Sequence, residues 1–171
     1  GLGDAGGAQA QFETALKLVP DSVEIMRSLT RIFVAQNRSD QAIQRLNQQI
    51  STYPQQAGLW EIMAEVQIAR KDFTQAEQSL KKAIQVDTKN INAQLALAGF
   101  YQSTQQLDKA IALYQDIAKV IPGNLVIKKL LANIYLSERS FDRRRWDIST
   151  TSFSFKSNRS AKYLGPAGRP K

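Results

Sequence analysis

Residues 91–122 read INAQLALAGFYQSTQQLDKAIALYQDIAKVIP. Leu95, Leu97, Ala98 and Tyr101 form one apolar stripe at helical spacing. Leu107, Ala110, Ile111, Tyr114 and Ala118 form a second, at steps of three and four residues. The polar residues Ser103, Thr104, Gln105 and Gln106 lie between them. The stretch therefore reads as two amphipathic helices joined by a short turn. Pro122 closes it, since a residue without an N–H stops a helix at little cost just past its end.

The same design recurs on both sides. Pro20, Pro54 and Pro122 share a 34-residue period, and Thr88 takes the position where one proline is missing. This divides the chain into units 23–54, 57–88 and 91–122. Ala42, Ala76 and Ala110 align, with Ala8 one period earlier, and four residues on come Leu46, Leu80, Tyr114 and Phe12. Leu29, Met63, Leu97 and Leu131 align too, each followed by a small residue: Thr30, Ala64, Ala98 and Ala132. Polar turns at 36–40 and 70–72 separate the two helices of the earlier units, with Ser39 and Asp72 as expected N-caps. No segment before residue 150 alternates at period two, so no strand is expected there. Small residues let paired helices approach, and large ones fill the space beside them. One such pair cannot bury both its faces alone, so the units are expected to stack.

These residues resemble the tetratricopeptide repeat family. The third unit fits its pattern with Leu97-Ala98, Tyr101, Ala110, Tyr114, Ala118 and Pro122. The second carries Trp60, Met63-Ala64, Ala76, Leu80 and Ala83, but has Gln67 at the aromatic position and Thr88 at the proline. The first carries Leu29-Thr30, Phe33, Ala42, Leu46 and Pro54, with Gln49 at a usual alanine position. The resemblance covers roughly residues 5–140. It implies an all-α fold, a right-handed α-solenoid of stacked antiparallel helix pairs, and a role in assembling protein complexes.

Both ends interrupt the repeat. Residues 1–20 supply only the second helix of a truncated unit, which is expected to leave an apolar flank at Phe12 and Leu16 uncovered. Residues 125–142 begin a fourth unit with Leu131-Ala132, Tyr135 and Phe141. Arg144 then falls where Ala42, Ala76 and Ala110 sit, and Thr151 where Ala83 and Ala118 were placed. A guanidinium in a tight helix contact is costly to bury unpaired, so the next helix is expected to fail. The opening GLGDAGGAQA, without an initiator Met, reads as the start of an excised piece.

The 171 residues carry a net charge of +8, but it is not evenly spread. From residue 139 on, nine basic side chains face Asp142 and Asp147 alone, which places +7 there and leaves the body nearly neutral. Residues 143–171, rich in Ser, Thr, Gly and basic residues, are expected to be disordered or non-native. Arg143-Arg144-Arg145-Trp146 has the ingredients for phosphate contact and base stacking, but as one short cluster it is read as a solubilising tail. Nucleic acid and membrane are not the expected partners. The chain has no Cys and no His, which removes disulfides, zinc sites of the usual kind and Ser-His-Asp triads. No cofactor and no metal site is expected. No apolar run reaches the 18 or so residues of a membrane span. The expected setting is a soluble chain of the bacterial cytoplasm or periplasm.

Gly1-Leu-Gly3-Asp-Ala-Gly6 satisfies a dinucleotide fingerprint in letters only, because no strand precedes it. Glu61 and Glu65 lie one helical turn apart, the arrangement of paired catalytic carboxylates. The resemblance puts them on an open groove, which cannot desolvate a carboxylate enough to tune it, so the chain is not read as an enzyme. On that concave face the resemblance places Arg27 and Arg31, then Glu61, Glu65 and Ile68. Asn92, Leu95, Gly99 and Gln102 follow, then Lys129, Asn133 and Leu136. The order is positive, negative, neutral, positive, which suits a peptide or helix of mixed polarity from another protein. Glu61 and Leu95 occupy positions where a carboxylate clamp needs Lys and Asn, so an EEVD-type terminus is not the expected ligand. Phe33, Trp60, Tyr101 and Tyr114 are read as packing residues. The alternative is a self-association module, with Phe12/Leu16 and Leu131/Tyr135 pairing between copies as incomplete repeats complete each other.

Overall fold

The computed structural model describes residues 5–137. Among them are eight α-helices and no strand: α1 (Ala5–Leu18), α2 (Val23–Ala35), α3 (Ser39–Thr52), α4 (Ala57–Ala69), α5 (Phe73–Val86), α6 (Ile91–Ser103), α7 (Leu107–Val120) and α8 (Leu125–Ser137). Helices α2, α4, α6 and α8 start at one constant step along the chain, and α3, α5 and α7 keep the same step. The architecture is an all-α solenoid.

Every helix packs on the next, and in addition α2 packs on α4 and α4 on α6. No Cα of α3 comes within 8 Å of α5, nor of α5 within that distance of α7. A stack that is tight along one row of helices and open along the other must curve, with the tight row inside. Helices α2, α4 and α6 therefore line the inner wall, and α3, α5 and α7 the outer one. Gly58 marks a close approach: a Cβ there would lie 2.7 Å from Cγ1 of Val23, so a side chain at this position would have to push Val23 aside at the starts of α2 and α4.

The turns between paired helices are three copies of one motif. Asn37, Lys71 and Gln105 have φ of 57°, 63° and 62°. The following N–H groups, of Arg38, Asp72 and Gln106, each bond at 2.8 Å to the carbonyls of Phe33, Gln67 and Tyr101. Those of Asn37, Lys71 and Gln105 reach back to Val34, Ile68 and Gln102. This is the Schellman pattern, here built without the glycine that usually takes the left-handed position.

The caps differ from the expected ones. Ser39 is the first residue of α3 rather than its cap, and Asp72, although at the cap position of α5, accepts no capping bond. The working caps precede the inner helices: Ser22 accepts from Ile25 at 3.3 Å, Asn90 from Ala93 at 3.1 Å and Asn124 from Ile127 at 3.2 Å. The outer helices follow a tight turn that already fixes their start, whereas the inner ones follow longer connections and need a side-chain acceptor. Gln56 holds the equivalent place before α4 but gives no cap; its Nε2 bonds to the Asp21 carbonyl and its Oε1 is buried without a partner.

Ala42, Ala76, Ala98 and Ala110 are fully buried, with Leu29, Leu46, Leu80, Leu97 and Tyr114 filling the space around them. Ile117, rather than the expected Ala118, takes the place of Ala83 one repeat later, and both Ile117 and Ala83 are buried. Two glutamines are buried at positions where the repeat favours a nonpolar residue, and both are satisfied. Gln49 donates to the Pro20 carbonyl and accepts from Arg45, and Gln67 accepts from Ser79 at 2.7 Å. The flank expected to be bare at Leu16 is covered: Leu16 is 4% exposed, joining the cluster of Met26, Leu29 and Leu46 because α2 packs over α1. Leu131 and Tyr135 are likewise half-buried against the α6–α7 core. Gly6 lies inside α1. The expected break after α8, with Phe141, Arg144 and the basic stretch 143–171, falls outside the described residues.

Candidate protein-binding groove

Three sets of side chains recur on α2, α4, α6 and α8, one residue per helix and one repeat per step. They are Arg27, Glu61, Leu95, Lys129; then Arg31, Glu65, Gly99, Asn133; then Val34, Ile68, Gln102, Leu136. Members of one helix in adjacent sets are three or four residues apart and so share a face.

The half of the wall on α2 and α4 is internally paired. The Arg27 guanidinium hydrogen-bonds to the Glu65 carboxylate and lies 3.7 Å from that of Glu61. Glu61 in turn accepts a 3.0 Å bond from Nδ2 of Asn90, the cap of α6. The positive first unit and negative second unit expected from the sequence thus neutralise each other across the helix junction. Asn90 is not among the expected site residues; its place two repeats after cap-forming Ser22 is the signal that could have found it. Past α4 the wall changes. Gln102 is held from behind, its amide oxygen accepting from the Tyr114 hydroxyl at 3.2 Å. Asn92, Lys129 and Asn133 are exposed and Leu95 is half-buried. On the first half only Arg31 and Ile68 offer exposed, unpaired groups.

The carboxylates of Glu61 and Glu65 both lie beside the Arg27 guanidinium on the open wall. Among the described residues no group of acidic side chains is placed to hold a metal ion. Phe33, Tyr101 and Tyr114 are buried in the core and Trp60 is half-buried.

A separate polar tie joins α5 to α6. The Tyr101 hydroxyl donates to Glu77 at 2.7 Å, and the Lys81 ammonium lies 2.7 Å from the same carboxylate. Those two donors, Lys81 first, hold the Glu77 carboxyl below its ordinary value, and the carboxylate raises Lys81 in return. Burial, and then Glu77, pushes the Tyr101 hydroxyl up; burial alone does the same to Tyr114. The Lys109 ammonium sits 5.0 Å over the Tyr101 ring, a cation–π contact that joins α7 to the tie.

A tetratricopeptide repeat model matches residues 1–66 and 67–134. Anaphase-promoting complex subunit 3 of Schizosaccharomyces pombe is 27% identical over 130 residues, which is 76% of this chain and 19% of that protein. The chain thus spans about a fifth of this relative's length. A thermophilic TPR protein of Thermus thermophilus superposes with a TM-score of 0.66 at 24% identity, over 79% of this chain and 75% of the other. The first TPR of Spaghetti, solved bound to the HSP90 peptide SRMEEVD, superposes at 0.57 with 19% identity, over 69% and 96% of the two chains. The helix pairs, their constant step and the matched repeat model agree: the chain belongs to the tetratricopeptide repeat family.

Proposed function

We propose that this chain is a non-enzymatic protein-interaction scaffold that holds a peptide or helix of a partner protein against its inner wall. The units 23–54, 57–88 and 91–122, with the parts of units on either side, are its repeats. The observation that carries this reading is the exposed, unpaired set Arg31, Ile68, Asn92, Lys129 and Asn133, spread over the four alternate helices α2, α4, α6 and α8. Stacked helices hold such groups at fixed spacing before any ligand arrives. Several modest contacts can then add up without the ordering cost of a flexible site. The fission-yeast relative is named as a subunit of a complex, and the Spaghetti repeat carries a bound peptide, which supports a protein ligand for this chain as well. The test uses the full chain with a photo-crosslinking residue at position 92, beside Arg31→Glu/Lys129→Glu. Crosslinks to one partner protein that vanish in the charge-reversed variant are expected. Equal crosslinking in both would move the binding surface off the inner wall.

Self-association has its own observation. Leu18 on α1 is 80% exposed and Leu125 on α8 is 77% exposed, with Val126 and Leu136 also exposed on α8. Pairing of copies would use these residues rather than the covered Leu16. A molar mass that stays monomeric across a wide concentration range in sedimentation equilibrium removes this reading.

A further inference from the structure

Gln67 stands one repeat after Phe33 and one before Tyr101, whose rings fill the space between inner and outer helices. A shorter amide at this position leaves that space open. The result is a cleft of about 530 Å³ on the outer face, between α3 and α5 with α4 as its floor. Clefts of ~300–1,000 Å³ are the usual size of ligand sites. Trp60 and Met63 give the cleft an apolar floor, and Ile43 of α3 adds an apolar side chain beside it. Its walls carry Asn47, Gln75 and Gln78, exposed amides with no hydrogen-bond partner in the described protein. Lys82 stands at one end and meets only the Gln85 amide, at 3.1 Å, whereas the other cation, Arg70, is already paired with Asp40.

We infer that this cleft is a second binding site, separate from the inner wall, for an extended segment of a partner protein in which an aliphatic side chain lies beside a carboxylate. Each free amide offers donors and an acceptor that match the N–H and C=O groups of an extended main chain. The apolar floor takes the aliphatic side chain, and the carboxylate faces Lys82, the cleft cation without an acidic partner. Gln75 and Lys82 are seven residues apart on α5, ~10 Å along its axis. That length accommodates about three residues of extended chain.

The test is an NMR titration of the isotope-labelled full chain with the peptide acetyl-Gly-Ser-Asp-Leu-Ser-Gly-amide, to millimolar concentration. The side-chain amides of Asn47, Gln75 and Gln78 and the Trp60 indole should shift, while those of Asn92 and Asn133 on the inner wall should not. Replacing the peptide's Asp by Asn, or Lys82 by Gln, should weaken binding about fivefold, as for a surface charge pair. Gln67→Phe, which restores the ring found at this position in the neighbouring repeats, should abolish it. Absence of shifts at the cleft, shifts on the inner wall instead, or unaltered binding to Gln67→Phe would each overturn the inference. Should Gln67→Phe not fold, Lys82→Glu decides: it must transfer the preference to a peptide with Lys in place of Asp, and failure to do so sinks the site.

Discussion

The two halves of the inner wall are built at the same repeat positions and behave differently. On α2 and α4 the charges face each other, so that Arg27, Glu61, Glu65 and Asn90 lace three repeats together. On α6 and α8 the corresponding positions hold Leu95, Lys129, Gly99 and Asn133, side chains that carry no complementary charges to pair. The backbone follows the same division, since α2 packs on α4 while α6 has no Cα within 8 Å of α8. One register can therefore serve cohesion in one place and leave groups available for a ligand in another. Which occurs depends on whether successive repeats carry complementary side chains.

The largest test of this contrast is at Gly58. Gly58→Ile would drive a branched side chain into Val23, where even a Cβ has only 2.7 Å. Overpacking of this kind costs about 2–3 kcal/mol. Asn92→Ile, at the same repeat position on α6, places its side chain in solvent and should change stability by less than about 0.5 kcal/mol. Urea denaturation of the two variants compares them directly. Equal effects would mean that the tight junction at α2–α4 is not special.

Next in size is Arg27→Ala. It leaves Glu61 and Glu65 facing each other one turn apart, and a partly exposed network of this kind contributes about 1 kcal/mol. Lys129→Ala, in the same set on α8, removes an unpaired exposed cation and should be nearly silent. Raising the ionic strength should shrink the Arg27→Ala effect, because screening weakens both the lost attraction and the exposed repulsion. A deficit independent of salt would point to lost packing by the arginine stem instead.

Gln56 offers a gain rather than a loss. Ser22, Asn90 and Asn124 cap their helices from the same repeat position, and Gln56 does not. Gln56→Asn should supply the missing acceptor to α4 and remove a buried, unpartnered oxygen, raising stability by about 0.5–1 kcal/mol. A thermal melt of this variant that is unchanged or lowered would show that the bond from Gln56 to Asp21 matters more than the cap.

These cases also show what the sequence could reveal. The helices, their pairing and most buried positions follow from residues that recur once per repeat, because burial at fixed sites is a local and repeated demand. Ala42, Ala76 and Ala110 can be assigned to the core from spacing alone. The pairing of Arg27 with Glu61 and Glu65 cannot, because it depends on how far one repeat turns relative to the next, which no single repeat encodes. The left-handed residues Asn37, Lys71 and Gln105 are equally hidden, since none is glycine. Gln67 stands out in the sequence as a departure from the family's aromatic, but the space it leaves on the outer face needs the neighbouring helices in place.

The smallest effect concerns the tie between α5 and α6, which links the cohesive half of the wall to the open half. Lys81 and Tyr101 both donate to Glu77 and hold its carboxyl below the ordinary 4.5, so the folded state binds fewer protons there than the unfolded chain as the pH falls. The contribution of Glu77 to stability is therefore complete above 4.5 and declines as pH drops through its lowered folded value. Glu77→Gln cannot be protonated, so the stability difference between wild type and this variant should be largest at neutral pH and close progressively below 4.5. Tyr101 acts at the other limit: raised in the folded state, it loses its stabilising effect only as pH climbs past the ordinary 10.0. Denaturation curves collected across the acid range measure the first trend. A wild-type advantage that persists unchanged to low pH would mean that the carboxylate's charge does not hold α5 to α6, and that this tie rests on the packing of the buried Tyr101 ring.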